Sequence, residues 1–185
     1  MKIHIFGASG SGVTTLGKAL SEKLNIPYFD SDEFFWEKSD PPYTLKREAG
    51  KRNALLQNQL AQTTDWILGG SVVSWGEQFP TMFNLAVFLW LPPVIRMERL
   101  AKREYERYGN IIYTDENRRS LYNDFMEWAA AYDDPDNKRR SLAVHEKWMK
   151  QLNCPILELR GDYTVEERLK ETIKICDIKE NSSNL

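Results

Sequence analysis

The sequence predicts an α/β domain in three layers, a five-stranded parallel sheet flanked by helices. Three observations carry this. Short apolar runs alternate with longer helix-patterned stretches, the first run ends in glycines that open directly into a helix, and the run at 85–91 is apolar almost throughout. A strand covered on both faces of a parallel sheet has that last pattern. At 185 residues and 42% hydrophobic content, the chain suits one well-buried core and is too short for two ordinary domains.

The elements follow in order. Residues 2–6 are β-rich and stop at glycine, and Leu16, Ala19, Leu20 and Leu24 then recur at helical spacing. A short strand at 27–30 runs into acidic residues. Beyond Pro41 and Pro42, the span 45–62 has helix-forming composition with few breakers. A third strand at 66–68 is stopped by Gly69 and Gly70, and the fourth, at 85–91, by Pro92 and Pro93. A charged helix is expected over 94–108, a polar, aromatic-rich region to 137, and a further helix over 138–152. The last strand is 155–159, and Thr164 with Glu167 forms a capping box for a closing helix. The polar residues 179–185 are expected to be an unstructured tail.

The chemistry concentrates at the first strand-to-helix turn. Gly7-Ala8-Ser9-Gly10-Ser11-Gly12-Val13-Thr14 fits the phosphate-loop pattern Gly-x4-Gly-Lys-Ser/Thr at every fixed position except the lysine, which is Val13. Glycines at 7, 10 and 12 permit positive φ, which turns successive N–H groups inward as an anion nest. The helix that follows adds its dipole and free donors at the same spot. Thr14 is placed to hold Mg²⁺ and Thr15 to reach a phosphate oxygen. Without the lysine, one charge-assisted contact of about 1.5–3 kcal/mol is lost, and catalysis is more exposed to that loss than binding. Lys18 and the later arginines are the candidate substitutes.

On these residues the chain resembles the adenylate kinase and shikimate kinase-like group of P-loop small-molecule kinases over most of its length. The resemblance implies a P-loop NTPase fold with a helical lid, here at 104–137, and use of ATP or GTP with Mg²⁺. Asp30-Ser31-Asp32 looks like the Asp-x-Asp of shikimate kinase-like enzymes, where the first carboxylate supports Mg²⁺ and the second holds the acceptor hydroxyl. Gly69-Gly70-Ser71 corresponds to their glycine pair beside the acceptor. Arg96, Arg99, Arg103 and Arg107 fall on one helical stripe, so four guanidiniums can point the same way. Arg139 and Arg140 open the helix after the lid, where such kinases close arginines over the transferring phosphoryl group; Arg103 and one of this pair are the strongest candidates. Gly161, within Arg160-Gly161-Asp162, falls where the group holds the adenine. Arg52 is a loose candidate for an acceptor carboxylate. Shikimate itself is disfavoured, because the arginine spacing after Asp32 departs from the group and 104–137 is longer and more aromatic than a shikimate kinase lid.

The resulting expectation is a phosphotransferase moving a γ-phosphate to a small acceptor, with nucleoside monophosphates among the candidates. A nucleotide-binding regulatory or partner protein with little activity, and a simple NTPase, stay open as alternatives. The formal net charge of −2 offers no global attraction for nucleic acid or an anionic membrane, and no apolar run approaches bilayer length, so a cytoplasmic protein is expected. Cys154 and Cys176 lack metal or redox spacing and are read as packing residues. His4 and His145 are read as structural, and Asp133, Asp134 and Asp136 as a solvated turn.

Overall fold

The computed structural model describes residues 1–183. Five strands, β1 (Lys2–Gly7), β2 (Tyr28–Asp30), β3 (Trp66–Gly69), β4 (Leu85–Trp90) and β5 (Ile156–Arg160), form one sheet in the order β2-β3-β1-β4-β5, every pairing parallel. In such a sheet the chain leaves every strand at the same edge. The loops after β1, β2, β3 and β5 therefore gather the four candidate segments along that edge.

Helices α1 (Val13–Leu24), α2 (Ser31–Phe35), α3 (Ala49–Leu60), α4 (Pro93–Tyr108), α5 (Ile111–Thr114), α6 (Glu116–Ala130), α7 (Leu142–Met149) and α8 (Val165–Ser183) surround the sheet. Strand alternation sorts the core into two layers. Ile3 and Ile5 face Leu16 and Leu20 of α1 and Cys176 of α8, whereas Phe6 faces Leu56 and Leu60 of α3 and Trp148 of α7. Nearly all these side chains are fully buried, so truncating Leu68 or Leu20 to alanine costs about 2–5 kcal/mol.

Several boundaries differ from expectation for local reasons. The helix expected over 45–62 begins at Ala49, because Glu48 caps it by accepting from the N–H groups of Gly50 and Lys51. Upstream, Trp36 and Lys46 form an antiparallel bridge instead. The helix expected from 138 starts at Leu142, where Ser141 accepts from the Val144 N–H, so Arg139 and Arg140 stand in the turn before α7 rather than in its first turn. The aromatic-rich span 104–137 holds the end of α4, α5, α6 and a 3₁₀ turn at Ala131–Asp133. Helix α8 continues through Ser183, into the span expected as a tail; residues 184 and 185 lie outside the described residues. The capping box at Thr164 and Glu167 is formed in both directions.

Both histidines are buried, and among the described residues neither has a carboxylate within ion-pair distance. His4 lies between the rings of Phe6 and Phe83 and hydrogen-bonds the Leu68 carbonyl; burial pushes its pKa down to about 4. His145 links Tyr132 Oη at 2.7 Å to Ser71 Oγ at 3.1 Å, and burial, helped by Arg140 and His4, pushes it down to about 3. A base whose pKa is depressed on folding takes up its proton in the unfolded chain first, so this stabilisation is complete above the unfolded value near 6.5 and is lost as pH falls below it. Urea midpoints followed from pH 7 to pH 5 are expected to show a loss of about 2 kcal/mol per histidine; a stability independent of pH over that window would contradict the assignment.

Candidate active site

The phosphate loop has the backbone its sequence requires. Gly10 and Gly12 take φ of 83° and 97°, a region that L side chains rarely adopt, and Ser11 N–H closes on the Ala8 carbonyl at 3.1 Å. Gly7 is glycine for a different reason than expected: it is not at positive φ, but a Cβ there would collide with the Leu89 carbonyl oxygen of β4. Ser9 is half-buried in the loop, and Thr14 and Thr15, in the first turn of α1, are open to solvent. Val13 packs on the α1/α8 core layer. Lys18 is exposed on α1.

Strand β2 delivers its acidic end to this loop. Asp30 Oδ2 accepts from Thr14 Oγ1 at 3.2 Å and from Tyr28 Oη at 3.2 Å, while Oδ1 caps α2 by accepting from Asp32 N–H at 3.0 Å. One carboxylate thus joins the loop to the start of α2. Tyr28 fits here because Gly17 and Gly69 leave room for its ring; a Cβ at either would strike it. Burial, then the charge of Asp30, raise the Tyr28 pKa, so it remains a donor. Gly70, at φ 93°, lies against Ser31 Oγ. The room beside both glycines of the pair is therefore taken by the protein itself, which accounts for glycine there without an acceptor. Ser71 is held by His145.

Asp32 opens to solvent at the rim of this crevice, yet the protein crowding it raises its pKa. Arg140 opposes the rise, Asp30 adds to it, and Arg103 opposes it more weakly. Both arginines rest on aromatic rings of α6, Arg140 over Trp128 at 5.6 Å and Arg103 over Phe125 at 5.5 Å. Arg139 does not join them: it is exposed and lines a hollow of about 410 Å³ with Asp124, Glu127 and Trp128. Arg52 is buried between Trp75, at 3.9 Å, and the more distant Phe35; among the described residues no carboxylate lies within ion-pair distance of it.

The expected stripe of four parallel arginines on α4 does not form. Arg96 is fully buried, donating to the Ala129 carbonyl and pairing with Asp133, which also accepts from Trp90 Nε1. Asp133 is therefore structural rather than a solvated turn residue. Arg99 pairs with Asp162 at 2.6 Å, tying α4 to the loop of Gly161, whose N–H donates to the Trp90 carbonyl. Arg103 and Arg107 share the buried carboxylate of Glu104 with Arg118, at 3.1, 3.7 and 3.7 Å. Glu104 sits in the stretch of charges on α4 but gave no sign of burial, since its partner Arg118 lies far along the chain. Arg168 of α8 was also missed, though it shares the buried face with Thr172 and Cys176, four and eight residues on, an unusual place for arginine.

A strand-to-helix phosphate loop at the carboxyl edge of a parallel sheet, backed by acidic and arginine-bearing segments, defines a P-loop α/β protein. The AAA domain family model matches residues 3–124, and the chain belongs to that family. It is 42% identical over 171 residues to the uncharacterized protein YqaC of Bacillus subtilis, covering 92% of this chain and 94% of that one. It is 30% identical over 120 residues to a shikimate kinase of Bacteroides thetaiotaomicron, 58% of this chain and 67% of the relative. A crystal structure of shikimate kinase from Bacteroides thetaiotaomicron superposes with a TM-score of 0.55 at 20% identity, over 96% of this chain and 98% of that one, which shows the fold. At family level the chain is a P-loop small-molecule kinase-like protein.

Replacing Glu104 with alanine strands three guanidiniums around one buried position. Chemical denaturation is expected to show a loss of about 1–3 kcal/mol, with the Glu104→Gln variant intermediate; an unchanged midpoint would show that the carboxylate does not organise this corner.

Proposed function

We propose that the protein is a nucleoside-triphosphate-dependent kinase that phosphorylates a hydroxyl of a small anionic acceptor. The observation that carries this reading is the Thr14–Asp30 hydrogen bond, which joins the phosphate loop to a strand end whose second carboxylate, Asp32, lies under the influence of Arg140 and Arg103. A triphosphate laid in the loop would present its terminal phosphorus toward that strand end. Gly7, Ser9, Gly10, Ser11, Gly12 and Val13 would cradle it through main-chain N–H groups, with Thr15 on a further phosphate oxygen and Gly161 beside the base.

The donors near the loop are hard oxygens, and no cluster of three His, Cys, Asp or Glu occurs among the described residues. That set suits Mg²⁺, which keeps most of its waters and the substrate's own phosphate oxygens. Thr14 would hold it directly and Asp30 through water; bound there, it neutralises charge on the phosphate oxygens.

In the transfer, the bond between the γ-phosphorus and its bridging oxygen breaks as the acceptor oxygen bonds to phosphorus in line. The acceptor's hydroxyl proton passes to Asp32, whose carboxyl the protein crowding it holds above its ordinary value, which favours gaining that proton. Arg103 and Arg140 stabilise the charge that spreads over the equatorial oxygens, a task for planar, permanently charged forks. Arg52, buried on Trp75 without a carboxylate, favours an acceptor that brings its own negative charge. Gly69 and Gly70 would border that acceptor through the loop they shape around Tyr28 and Ser31.

Val13 favours a second reading, a nucleotide-binding partner protein with little chemistry. Coupled ADP release over panels of phosphorylated and carboxylated hydroxy acceptors separates the two. The kinase reading expects one acceptor to raise turnover well above solvent hydrolysis and Asp32→Asn to lower it about 10²–10⁴-fold; no acceptor-dependent turnover would favour the partner protein. Because Asp32 must be ionised to accept the proton, turnover is expected to fall as pH drops through a limb above the ordinary carboxylate range. A limb at ordinary carboxylate pH would contradict the role.

A further inference from the structure

Arg168, in the first turn of α8, sets its guanidinium against the phosphate loop. Its side chain is 3% exposed, and Nη1 donates to the Ser11 carbonyl oxygen at 2.5 Å. The same nitrogen lies against Gly12, where a Cβ would come within 2.6 Å of it. Among the described residues no carboxylate lies within ion-pair distance, and Nε and Nη2 are buried without hydrogen-bond partners. The charges that act on it are Arg99 and Asp162, which pair with each other, so the group carries one positive charge in excess beside the loop. A buried guanidinium with two bare donors is costly to keep. Val13, Leu169 and Ile173 supply apolar side chains to the adjoining core layer.

The Ser11 carbonyl and the Gly12 N–H are opposite ends of one trans peptide unit. A cation bound to the oxygen polarises that unit and makes the N–H on its far side a stronger donor. We propose that this N–H faces the bound polyphosphate, so that Arg168 supplies, through the Ser11–Gly12 peptide, the positive charge that the loop lacks at Val13 and is the positioning residue for the polyphosphate. The inference rests on the reading of this loop as a nucleoside triphosphate site. It also accounts for Gly12: any larger residue would displace the guanidinium.

The test is calorimetric titration of the wild type, Arg168→Met, Arg168→Lys and the double variant Val13→Lys/Arg168→Met with MgATP, MgGTP and AMP. The wild type is expected to bind one triphosphate well. Arg168→Met should weaken it about tenfold or more while changing AMP binding by less than about twofold. Arg168→Lys should keep most of the triphosphate preference, and lysine at 13 should restore it in the double variant. Equal loss for triphosphate and AMP would show a mere brace for the loop, and unchanged triphosphate binding would show no role; either overturns the proposal. If Arg168→Met fails to fold by circular dichroism, Arg168→Lys decides, because a folded lysine variant without triphosphate preference also overturns it. A wild type that binds neither triphosphate would instead remove the site itself, and the proposal with it.

Discussion

The architecture depends on the positive-φ backbone at Gly10 and Gly12, where β1 gives way to α1. Backbone at positive φ is unstable unless its surroundings hold it, and here they do so from four sides. Ser11 closes on Ala8 within the loop, Leu89 of β4 leaves no room for a side chain at Gly7, Asp30 reaches Thr14 from β2, and Arg168 grips the Ser11 carbonyl from α8. The last three come from three different elements, so the sheet and the α8 layer together hold the loop in place. A site built this way is pre-organised and does not have to order itself around a ligand.

A second theme is how arginines are sorted. Carboxylates claim some of them: the half-buried Asp133 takes Arg96, and the buried Glu104 gathers Arg103, Arg107 and Arg118. Others rest on aromatic rings with no carboxylate in ion-pair distance among the described residues, as Arg140 does on Trp128 and Arg52 on Trp75, where Asn53 also accepts from Arg52 Nε. The first kind fixes helices to one another, and the second keeps positive charge available. Arg103 does both, since Glu104 holds one edge of it while its charge still acts on Asp32. This division explains why spacing on α4 misled. A stripe on a helix says which residues share a face, but which of them meet carboxylates depends on α6 and on the loop of Asp162.

Much of the fold was legible because its signals are local. Four of the five strands announce themselves as short apolar runs ended by glycine or proline, the second runs into acidic residues, and the glycines at 10 and 12 predict their own backbone. The acidic pair at 30 and 32 was readable because a strand end in a parallel sheet leads to one edge. What escaped depends on long-range packing. Glu48 starts α3 late through a cap that competes with composition, and Ser141 leaves Arg139 and Arg140 outside α7. Tyr28 escaped for the same reason, since a ring that needs two distant glycines carries no signature in its own neighbourhood, and Arg168, though its place on the buried face of α8 is unusual for arginine, gives no local sign that it meets residue 11.

The most direct measurement is a ¹H–¹⁵N correlation spectrum of the protein titrated with MgATP and with MgGTP. An anion seated in the loop should draw the amide protons of Gly10, Gly12, Val13 and Thr14 strongly downfield, in step with one saturating ligand, while amides of α3 and α7 stay in place. Amide resonances in 7–15 that do not move at saturating nucleotide, or that move no more than those of the distant helices, would contradict the account.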